Sequence, residues 1–380
     1  MDDEVIVKFA QHHRGPVIAR SHPEYEEARK LYNGMIDKRP LVIGRCADVA
    51  DVMAAVNFGR DNDGHGYLSR NYGLTIDNLI EADVVLADGS FVTAGAKDNP
   101  DLFWALRGGG GNFGIVTSFL FRLHPVSMVF AGPIAWDQKH ARTLFSRYRE
   151  FLPQAPEALG AFVGLKTVLS TPPFPQELWG KRMCLLMSCY DGSEQDGRKA
   201  LAPLLDAMPE PWLNWMGTMP YPSVQSMFDP PYPKGMQWYW RGDFVKTLSN
   251  GAIDAHLKEA AKTPSEFSLM HLYPIDGAVH RVGKNETAWN YRDATWSMVI
   301  AGIDPDPQKA GPVTRWTKSY WEAVHPFDLN GAYPNFMMDD EGEARLKAAY
   351  GDNFQRLTTV KKKYDPSNLF RVNQNIRPAA

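Results

Sequence analysis

Four consecutive glycines at residues 108–111 are the residues of this chain whose type and spacing point most directly to chemistry. Gly109, Gly111 and Gly114 also satisfy the spacing G-x-G-x-x-G, which in dinucleotide-binding proteins leaves backbone N–H groups free to hold phosphate. Glycine loses more backbone freedom on folding than any other residue, so such a run persists where a side chain would collide with something. A bound ligand and a closely packed backbone both meet that requirement.

The elements on either side of the glycines restrict the kind of loop. Asn99, followed by proline and aspartate, predicts the start of a short helix that ends at Leu106. Residues 115–126 predict a strand with one face formed by Ile115, Thr117, Phe119, Phe121 and Leu123. A Rossmann or P-loop site has the strand first and the helix second, so this order disfavours an NAD-dependent Rossmann dehydrogenase. A cradle for another ligand and a purely structural turn both stay open.

Composition excludes several classes of function. With 380 residues, 44% hydrophobic and 22% charged, the chain is an ordinary globular protein long enough for two domains. A net charge of −3 gives no reason to expect nucleic acid or a membrane surface as partner. The acidic N-terminal residues lack a hydrophobic leader, and no apolar run approaches the roughly 20 residues of a membrane span. We therefore expect a cytoplasmic protein.

The cysteines predict neither a metal site nor a disulfide framework. Cys46, Cys184 and Cys189 have the spacing of neither a zinc site nor a set of disulfides. Buried free thiols are the expectation, and no metal is predicted.

Turn residues and periodicity predict an α+β chain. Asp88-Gly89 between two β-branched runs predicts a hairpin of residues 83–87 and 91–94. Beyond residue 129, the pattern predicts helices at 137–151, 194–208 and 250–262, interleaved with strands at 183–190, 236–244, 267–273 and 295–300. Because these elements lack βαβ regularity, we expect a mainly antiparallel sheet.

One predicted strand is unusually aromatic. Alternation along residues 236–244 places Trp238 and Trp240 on one face and Tyr239 and Arg241 on the other. One face should pack in the core, and the other is a candidate pocket wall.

Two groups of motifs together resemble the FAD-linked oxidases of the berberine bridge enzyme type. The first group is GHGYLSRNYGLTIDNL at 64–79, VLADGS at 85–90 and NPDLFWALRGGGGNFGIVT at 99–117. The second is YPN at 333–335, YGDNFQRL at 350–357 and KYDPSNLFRVNQNI at 363–376. The matches cover both ends of the chain and, more loosely, its middle.

The resemblance implies an α+β, two-domain fold of the vanillyl-alcohol-oxidase type. Residues 1–128 would form the FAD-binding domain, to which a C-terminal berberine-bridge-type segment, 329–380, returns. Residues 129–328 would form the substrate domain, whose antiparallel sheet covers the isoalloxazine.

The implied reaction is the oxidation of a hydroxyl group on a small molecule, either a carbohydrate or a secondary metabolite. The substrate gives a hydride to the flavin, a base takes the hydroxyl proton, and dioxygen reoxidises the flavin. Tyr333 matches the tyrosine that serves as base in bacterial and fungal members. A tyrosine has an ordinary pKa of about 10, so a nearby cation or a second tyrosine is expected. The alternative is that Tyr333 is a packed aromatic side chain beside a proline.

The resemblance also implies a set of cofactor-binding residues. Asn373 and Gln374 match positions near the flavin, where amides can bond its polar edge. Ile115 and Val116 match a strand start that contacts FAD through its backbone. The remaining predicted contacts come from the two glycine-rich elements: Gly64, Gly66, Gly111, Asn112 and Gly114. Tyr273 and Tyr291 match substrate-facing positions loosely, and no role is assigned to either.

One departure from the family pattern lies at residues 59–64. Family members carry there a further block whose Arg-Gly-Gly-Gly-His loop attaches the flavin, whereas here Phe58 is followed almost directly by Gly64. His65 belongs to the later glycine element and is not the attachment residue. The expected FAD domain is therefore incomplete. Two explanations stay open: a segment lost through mis-splicing or gene prediction, or a truncation that binds FAD weakly or not at all and acts as a binding module.

Overall fold

A computed structural model describes residues 15–40, 42–44, 66–371 and 374–380. Three features of the sequence lie outside the described residues: the β-branched run at 5–7, which predicts a strand, the apolar stripe at 49–58, which predicts a helix, and Cys46. Among the described residues, no helix is long and apolar enough to cross a bilayer. Cys184 and Cys189 are buried free thiols, as predicted.

The strands of the described residues, in chain order, are β1 (Val17–Ala19), β2 (Val42–Gly44), β3 (Leu79–Val85), β4 (Phe91–Gly95), β5 (Ile115–Phe121), β6 (Met128–Asp137), β7 (Leu159–Thr167), β8 (Arg182–Tyr190), β9 (Leu213–Asn214), β10 (Gly217–Pro220), β11 (Gln237–Val245), β12 (Leu269–Pro274) and β13 (Trp296–Asp304). The α-helices are α1 (Tyr25–Ala28), α2 (Ser69–Tyr72), α3 (Pro100–Leu106), α4 (Ala141–Phe151), α5 (Glu194–Leu205), α6 (Tyr221–Gln225), α7 (Asn250–Ala260), α8 (Ala310–Val324), α9 (Gly342–Tyr350) and α10 (Phe354–Tyr364).

A three-stranded antiparallel sheet in the order β4-β3-β5 forms the N-terminal part. The predicted hairpin is present, with Val85 opposite Phe91 and Gly89 at a φ of 83° in the turn. The helix predicted before the glycines is α3, although the side chain of Asn99 donates to the Thr93 carbonyl at 2.8 Å rather than capping the helix.

The C-terminal helices pack against this N-terminal part. Leu102 and Phe103 of α3 share one apolar core with Leu346 of α9 and with Leu357 and Val360 of α10. Burial of this shared apolar surface joins residues that are about 250 positions apart in the chain. The domain boundaries themselves stay a prediction.

A β-bulge changes the predicted face of β5. Val84 pairs with Val116, whereas the preceding residue of β3 pairs with Ser118, so Thr117 is the extra residue. Val116 therefore turns toward the core with Phe119, and Ile115 is 38% exposed. The prediction that Ile115 shares a face with Phe119 is wrong, because the strict period of two ends at the bulge.

The second part contains an eight-stranded antiparallel sheet in the order β10-β6-β8-β7-β12-β13-β11, with β9 beside β6. This confirms the predicted α+β fold with an antiparallel sheet. The sequence did not predict strands β6 and β7. In β7, eight of nine residues are buried, so the strand lacks the alternation of polar and apolar residues that indicates a strand. Helices α4, α7 and α8 share an apolar core with one face of this sheet.

The opposite face of this sheet carries aromatic side chains. Phe162 of β7 lies 5.0 Å, between ring centroids, from Tyr273 of β12, and 5.6 Å from His271. The predicted pairing on β11 is also present, since the rings of Trp238 and Trp240 lie 5.7 Å apart. We call the side of the sheet that carries Phe162, His271 and Tyr273 the aromatic face.

Candidate functional site

Tyr333 lies at the start of a short turn rather than in a fully extended segment. Extended backbone at Tyr333 leads into a 3₁₀ turn, Pro334–Phe336, in which the Phe336 N–H donates to the Tyr333 carbonyl at 2.8 Å. The Tyr333 side chain is only 6% exposed. Its phenol oxygen accepts a 2.6 Å hydrogen bond from the side-chain amide of Asn335. The side-chain amide nitrogen of asparagine can only donate, so the phenol oxygen of Tyr333 is the acceptor of this hydrogen bond.

Aromatic rings connect Tyr333 to the aromatic face. The Tyr333 ring lies 5.0 Å from Trp289 and meets Phe336 edge-on at 5.2 Å. Phe336 in turn stacks on Tyr273 at 6.2 Å. These rings form a continuous apolar wall from Trp289 to the eight-stranded sheet.

The glycine run positions this wall. The Arg107 carbonyl accepts from the Ala288 N–H at 2.9 Å, and a Cβ added to Gly108 would lie 2.7 Å from the backbone nitrogen of Trp289. Trp104 donates from its indole nitrogen to the Asn285 carbonyl at 2.9 Å. The backbone of residues 285–289, which leads into Trp289, is therefore fixed against α3 and the residues that follow α3.

Two other glycines of the run are also explained by close packing. A Cβ on Gly109 would lie 2.5 Å from the Ala105 carbonyl oxygen, and one on Gly114 would lie 2.5 Å from a methyl group of Val84. Gly110 needs its freedom for a different reason, a φ of 67°, and Gly111 is exposed. Backbone packing thus accounts for part of the run. Cofactor contact by Gly111 and Gly114 stays a prediction.

Asn112 joins the glycine loop to the C-terminal segment. It is 0% exposed, and its amide nitrogen donates to the carbonyls of Gly109 (2.9 Å) and Gln374 (3.2 Å). Its side-chain oxygen accepts from the Ile376 N–H at 3.0 Å, and the buried ammonium of Lys361 donates to its carbonyl at 2.6 Å. Asn112 therefore holds the glycine loop to the C-terminal segment, and its cofactor contact stays a prediction.

The other predicted cofactor residues lie in different surroundings, and their contact with a cofactor stays a prediction. The side-chain amide of Gln374 donates to the Met337 carbonyl at 2.8 Å, and Gly66 donates from its N–H to Ser69 Oγ at 2.7 Å. Ile115 is exposed at the start of β5, whereas the neighbouring Val116 packs against the core. Gly64, His65 and Asn373 lie outside the described residues. The structure therefore brings Gln374 to the glycine loop through Asn112.

Tyr273 and Tyr291, to which no role was assigned, differ in environment. Tyr273 lies on the aromatic face, as described above. Tyr291 stacks on Phe244 at 4.7 Å, and its hydroxyl lies 2.6 Å from the Ala348 carbonyl, to which it donates. Burial raises the pKa of Tyr291 above its ordinary value.

The residues present fit a flavin. A flavin ring needs flat apolar neighbours and a few polar partners, and the wall around Trp289 and Tyr333 supplies the apolar surface. The buried side-chain oxygen of Asn375 has no hydrogen-bond partner among the described residues, which leaves an acceptor for a ligand N–H group. An added Cβ at Gly66 would meet no described atom within 4 Å, so a ligand has room there.

A buried arginine that the sequence did not reveal fixes the segment after Gly66. Arg70 pairs with Asp276 at 2.7 Å, and both are nearly inaccessible to solvent. Its guanidinium also donates to four carbonyls, those of Leu152, Ala155, Pro156 and Leu159. Arg70 lies within the GHGYLSRNYG motif, but its partners are 82 to 206 positions away, so spacing alone could not identify them.

A second buried pair fixes the segment that carries Trp289. Arg292 makes two 2.7 Å hydrogen bonds to the carboxylate of Asp77 and a third to Thr287 Oγ1. A two-pronged guanidinium–carboxylate contact sets orientation as well as distance. The TIDN part of the first motif group is thereby connected to the wall next to Tyr333.

The fold has the vanillyl-alcohol-oxidase-like architecture of FAD-linked enzymes. The fold matches the BBE-like 1 protein of Physcomitrella patens with a TM-score of 0.84 at 19% identity, covering all of both chains. It also matches the xylooligosaccharide oxidase of Myceliophthora thermophila, solved with xylobiose, with a TM-score of 0.80 at 21% identity over 100% of this chain and 99% of that one.

The sequence comparisons extend the match to a family. The model described as "Berberine and berberine like" matches residues 332–377. The FAD-linked oxidoreductase YgaK of Bacillus subtilis, itself uncharacterised, is 30% identical over 83% of this chain and 68% of its own length. An FAD-linked oxidoreductase of Dictyostelium discoideum is 28% identical over 83% of this chain and 66% of its own length.

The chain belongs to the FAD-linked oxidoreductases of the berberine bridge type, and it spans about two thirds of the length of these relatives. The predicted family, its cofactor FAD and the oxidoreductase class are thereby confirmed.

Proposed function

We propose that this protein is an FAD-dependent oxidase of a hydroxyl group on a carbohydrate or a secondary metabolite, with Tyr333 as the base and dioxygen as the final electron acceptor. The observation that carries the proposal is the environment of Tyr333. Its phenol oxygen accepts a hydrogen bond from Asn335, and its ring lies in the apolar wall between Trp289 and Phe336. The division into an FAD domain and a substrate domain at residues 128 and 328 belongs to the same proposal.

The chemistry that Tyr333 performs is proton removal. FAD, when bound, supplies the acceptor of the hydride. The Tyr333 oxygen takes the proton of the substrate hydroxyl, and the donor group of Asn335 stabilises the negative charge that this base carries before it acts. Trp289 and Phe336 exclude water on two sides, which strengthens this hydrogen bond.

A carbohydrate substrate is supported by the aromatic face and by relatives. Aromatic rings offer flat surfaces to the C–H faces of a sugar, and the partly exposed Tyr273 and Phe336 form such a surface beside Tyr333. A carbohydrate oxidase of Microdochium nivale is 28% identical over 83% of this chain and 66% of its own length. A xylooligosaccharide oxidase of Thermothelomyces thermophilus is 27% identical over the same shares.

The test is to purify the protein, record its flavin absorbance, and measure hydrogen peroxide formed from a panel of oligosaccharides. We expect a yellow protein that oxidises at least one sugar of the panel. Tyr333→Phe should lower turnover by about 10² to 10⁴, the usual contribution of a general base, without changing flavin content. The matched control is Tyr291→Phe, which removes a buried hydroxyl that bonds only a carbonyl in the described structure. Unaltered turnover in Tyr333→Phe would remove Tyr333 from the mechanism.

The second candidate is a non-catalytic relative that binds FAD weakly or not at all and uses the aromatic face as a binding module. The abrupt passage from Phe58 to Gly64, where family members carry a further block, motivates it. A folded, colourless protein that takes up no added FAD would support this candidate and contradict the oxidase. The transcript or genomic sequence around codons 58 to 66 would show whether a segment is missing.

A further inference from the structure

Lys166 lies on the aromatic face, at some distance from Tyr333. It belongs to β7, where alternation places it on the same side as Gly164 and Phe162. Across the sheet it is paired with Leu269 on one side and Met183 on the other. Lys166 lies four positions after Phe162 along the strand, a distance of about 13 Å. Phe162 is the ring that contacts Tyr273.

In the described part of the chain, the ammonium of Lys166 hydrogen-bonds only to a neutral group. Its Nζ donates to Tyr232 Oη at 2.6 Å, and it lies 5.1 Å from the centroid of that ring. Among the described residues, no carboxylate comes within 4.0 Å of it. The acidic group that faces it is Glu266, whose carboxylate instead accepts hydrogen bonds from Ser170. A buried ammonium without a paired anion costs free energy unless another group compensates for it.

Further donors without partners lie next to this lysine. The ring of Tyr232 contacts Trp238 at 5.6 Å, and Trp238 contacts Trp240 at 5.7 Å. The indole nitrogens of Trp238 and Trp240 have no hydrogen-bond partner among the described residues. This end of the aromatic face therefore combines one cation and two free N–H donors with flat apolar rings. That combination suits a ligand group rich in acceptors.

We propose that Lys166 anchors a carboxylate at the far end of an elongated substrate, so that the enzyme prefers an acidic oligosaccharide to a neutral one. This inference rests on the proposed function, because it takes the aromatic face as the substrate groove. A carboxylate at this end would pair with the ammonium and accept from the indoles. The oxidised carbon would lie at the other end of the same ligand, next to Tyr333.

The protonation behaviour of Lys166 gives the proposal a distinct signature. Burial lowers its pKa to about 7, although the charge of Glu266 acts in the opposite direction. Burial also raises the pKa of the neighbouring Tyr232, which therefore stays a neutral phenol. At pH 7 about half of the Lys166 side chains are then neutral. Binding of a carboxylate favours the charged form, so it should take up about half a proton.

The experiment is titration calorimetry of the FAD-loaded protein at pH 7 with two probes. One probe is xylobiose, and the other is a disaccharide of glucuronic acid and xylose, which adds a single carboxylate. Repeating the titration in two buffers of different ionisation enthalpy measures proton uptake. We expect the acidic disaccharide to bind on the order of tenfold more tightly than xylobiose, with proton uptake for the acidic probe alone.

Variants of Lys166 test whether its ammonium causes the preference for the acidic disaccharide. Lys166→Met should abolish both the preference and the proton uptake, and Lys166→Arg should keep the preference. Lys181→Met, at an exposed lysine just before β8, is the matched control. Equal affinities of wild type for both sugars, no binding of either, or a preference that survives Lys166→Met would overturn the anchor. Peroxide formation is measured separately: selective binding without any oxidation would contradict the proposed function and leave the anchor intact.

Discussion

The side-chain nitrogen of Asn335 lies 2.6 Å from the phenol oxygen of Tyr333, two residues earlier in the chain. The intervening Pro334 starts the 3₁₀ turn that brings the two side chains together. A donor aimed at the phenol oxygen favours the phenolate over the phenol, because it interacts more strongly with a full negative charge. The Tyr-Pro-Asn sequence thus holds both the proposed base and a donor that can activate it.

The first prediction concerns the pH dependence of turnover. Replacing Asn335 by Leu removes a hydrogen bond to a charged group, which is worth about 1.5–3 kcal/mol, or about 1–2 pH units. Since the phenolate loses this stabilisation, the acid limb of the plot of kcat/KM against pH should move upward by that amount. Turnover at high pH should recover most of the wild-type value.

The control for this prediction is Tyr333→Phe, which should show low turnover at every pH and no such limb. If Asn335→Leu lowers turnover equally at all pH values, Asn335 has only a structural role. Flavin absorbance and melting temperature show whether each variant still folds around its cofactor.

Local features of the sequence predicted much of the fold. The Asp88-Gly89 turn was sufficient to identify the hairpin. The apolar periodicity of residues 137–151 and 250–262 was sufficient to identify two helices. Each of these signals depends on neighbours within a few residues. Strand β7 gave no such signal because it is buried on both sides, and the bulge at Thr117 was hidden because it depends on the partner strand.

The second prediction concerns Arg70. Arg70→Met leaves the carboxylate of Asp276 buried and unpaired and leaves four carbonyls without a donor. Breaking a buried ion pair from one side costs about 3–5 kcal/mol, so the free energy of unfolding should fall by at least that amount. Urea denaturation followed by tryptophan fluorescence measures it.

Arg281→Met is the matched control for Arg70. Arg281 also pairs with a carboxylate, that of Glu157, but both side chains are largely exposed to solvent. Exposed pairs contribute about 0–1 kcal/mol, so this variant should be nearly as stable as the wild type. Similar losses in the two variants would show that burial does not decide the strength of the Arg70 pair.

The third prediction concerns Gly108. In Gly108→Ala, the new Cβ would lie 2.7 Å from the backbone nitrogen of Trp289, at a residue whose φ is 122°. The segment carrying Trp289 must then move away, and its contact with Tyr333 should be disturbed. We expect lower flavin content and turnover, together with a loss of stability of about 2–3 kcal/mol.

Gly89→Ala is the control that separates the effect of backbone strain from the effect of a steric clash. Gly89 also has a positive φ, 83°, but an added Cβ there meets no described atom within 4 Å. This variant should lose only about 1 kcal/mol through backbone strain, with flavin content unchanged. Equal effects at both glycines would mean that the approach of Trp289 does not restrict position 108.

The candidate site was predicted only in part, for a physical reason. Tyr333 was identified from a resemblance, but Asn335 and Trp289 became apparent only through distances. Asn112 lies in a motif shared with flavin enzymes, yet its polar side-chain atoms bond to backbone of the same chain. A motif records that a residue type is required. It does not record whether that residue meets a ligand or another part of the protein.

The fourth prediction concerns Asp328, a carboxyl that favours its neutral form. Burial, reinforced by the negative charge of Asp243 and opposed by Arg345, raises its pKa to about 9. In the unfolded chain, an aspartate has a pKa of about 3.9. Because the folded pKa is the higher one, the stability linked to this proton is complete below pH 4 and is lost as the pH rises toward 9. Asp328→Asn keeps the neutral shape at every pH.

The measurement is the free energy of unfolding of wild type and Asp328→Asn from pH 4 to pH 8. The two proteins should be about equally stable near pH 4, and the variant should be more stable by about 5 kcal/mol at pH 8, since about 1.4 kcal/mol is lost for each pH unit above 4. Asp293→Asn is the control, since the exposed Asp293 pairs with Lys246 and its pKa is lowered, chiefly by that hydrogen bond. It should gain no stability at pH 8. A constant difference between Asp328→Asn and wild type across this range would show that Asp328 is already ionised in the folded protein, so that Arg345 outweighs the effect of burial.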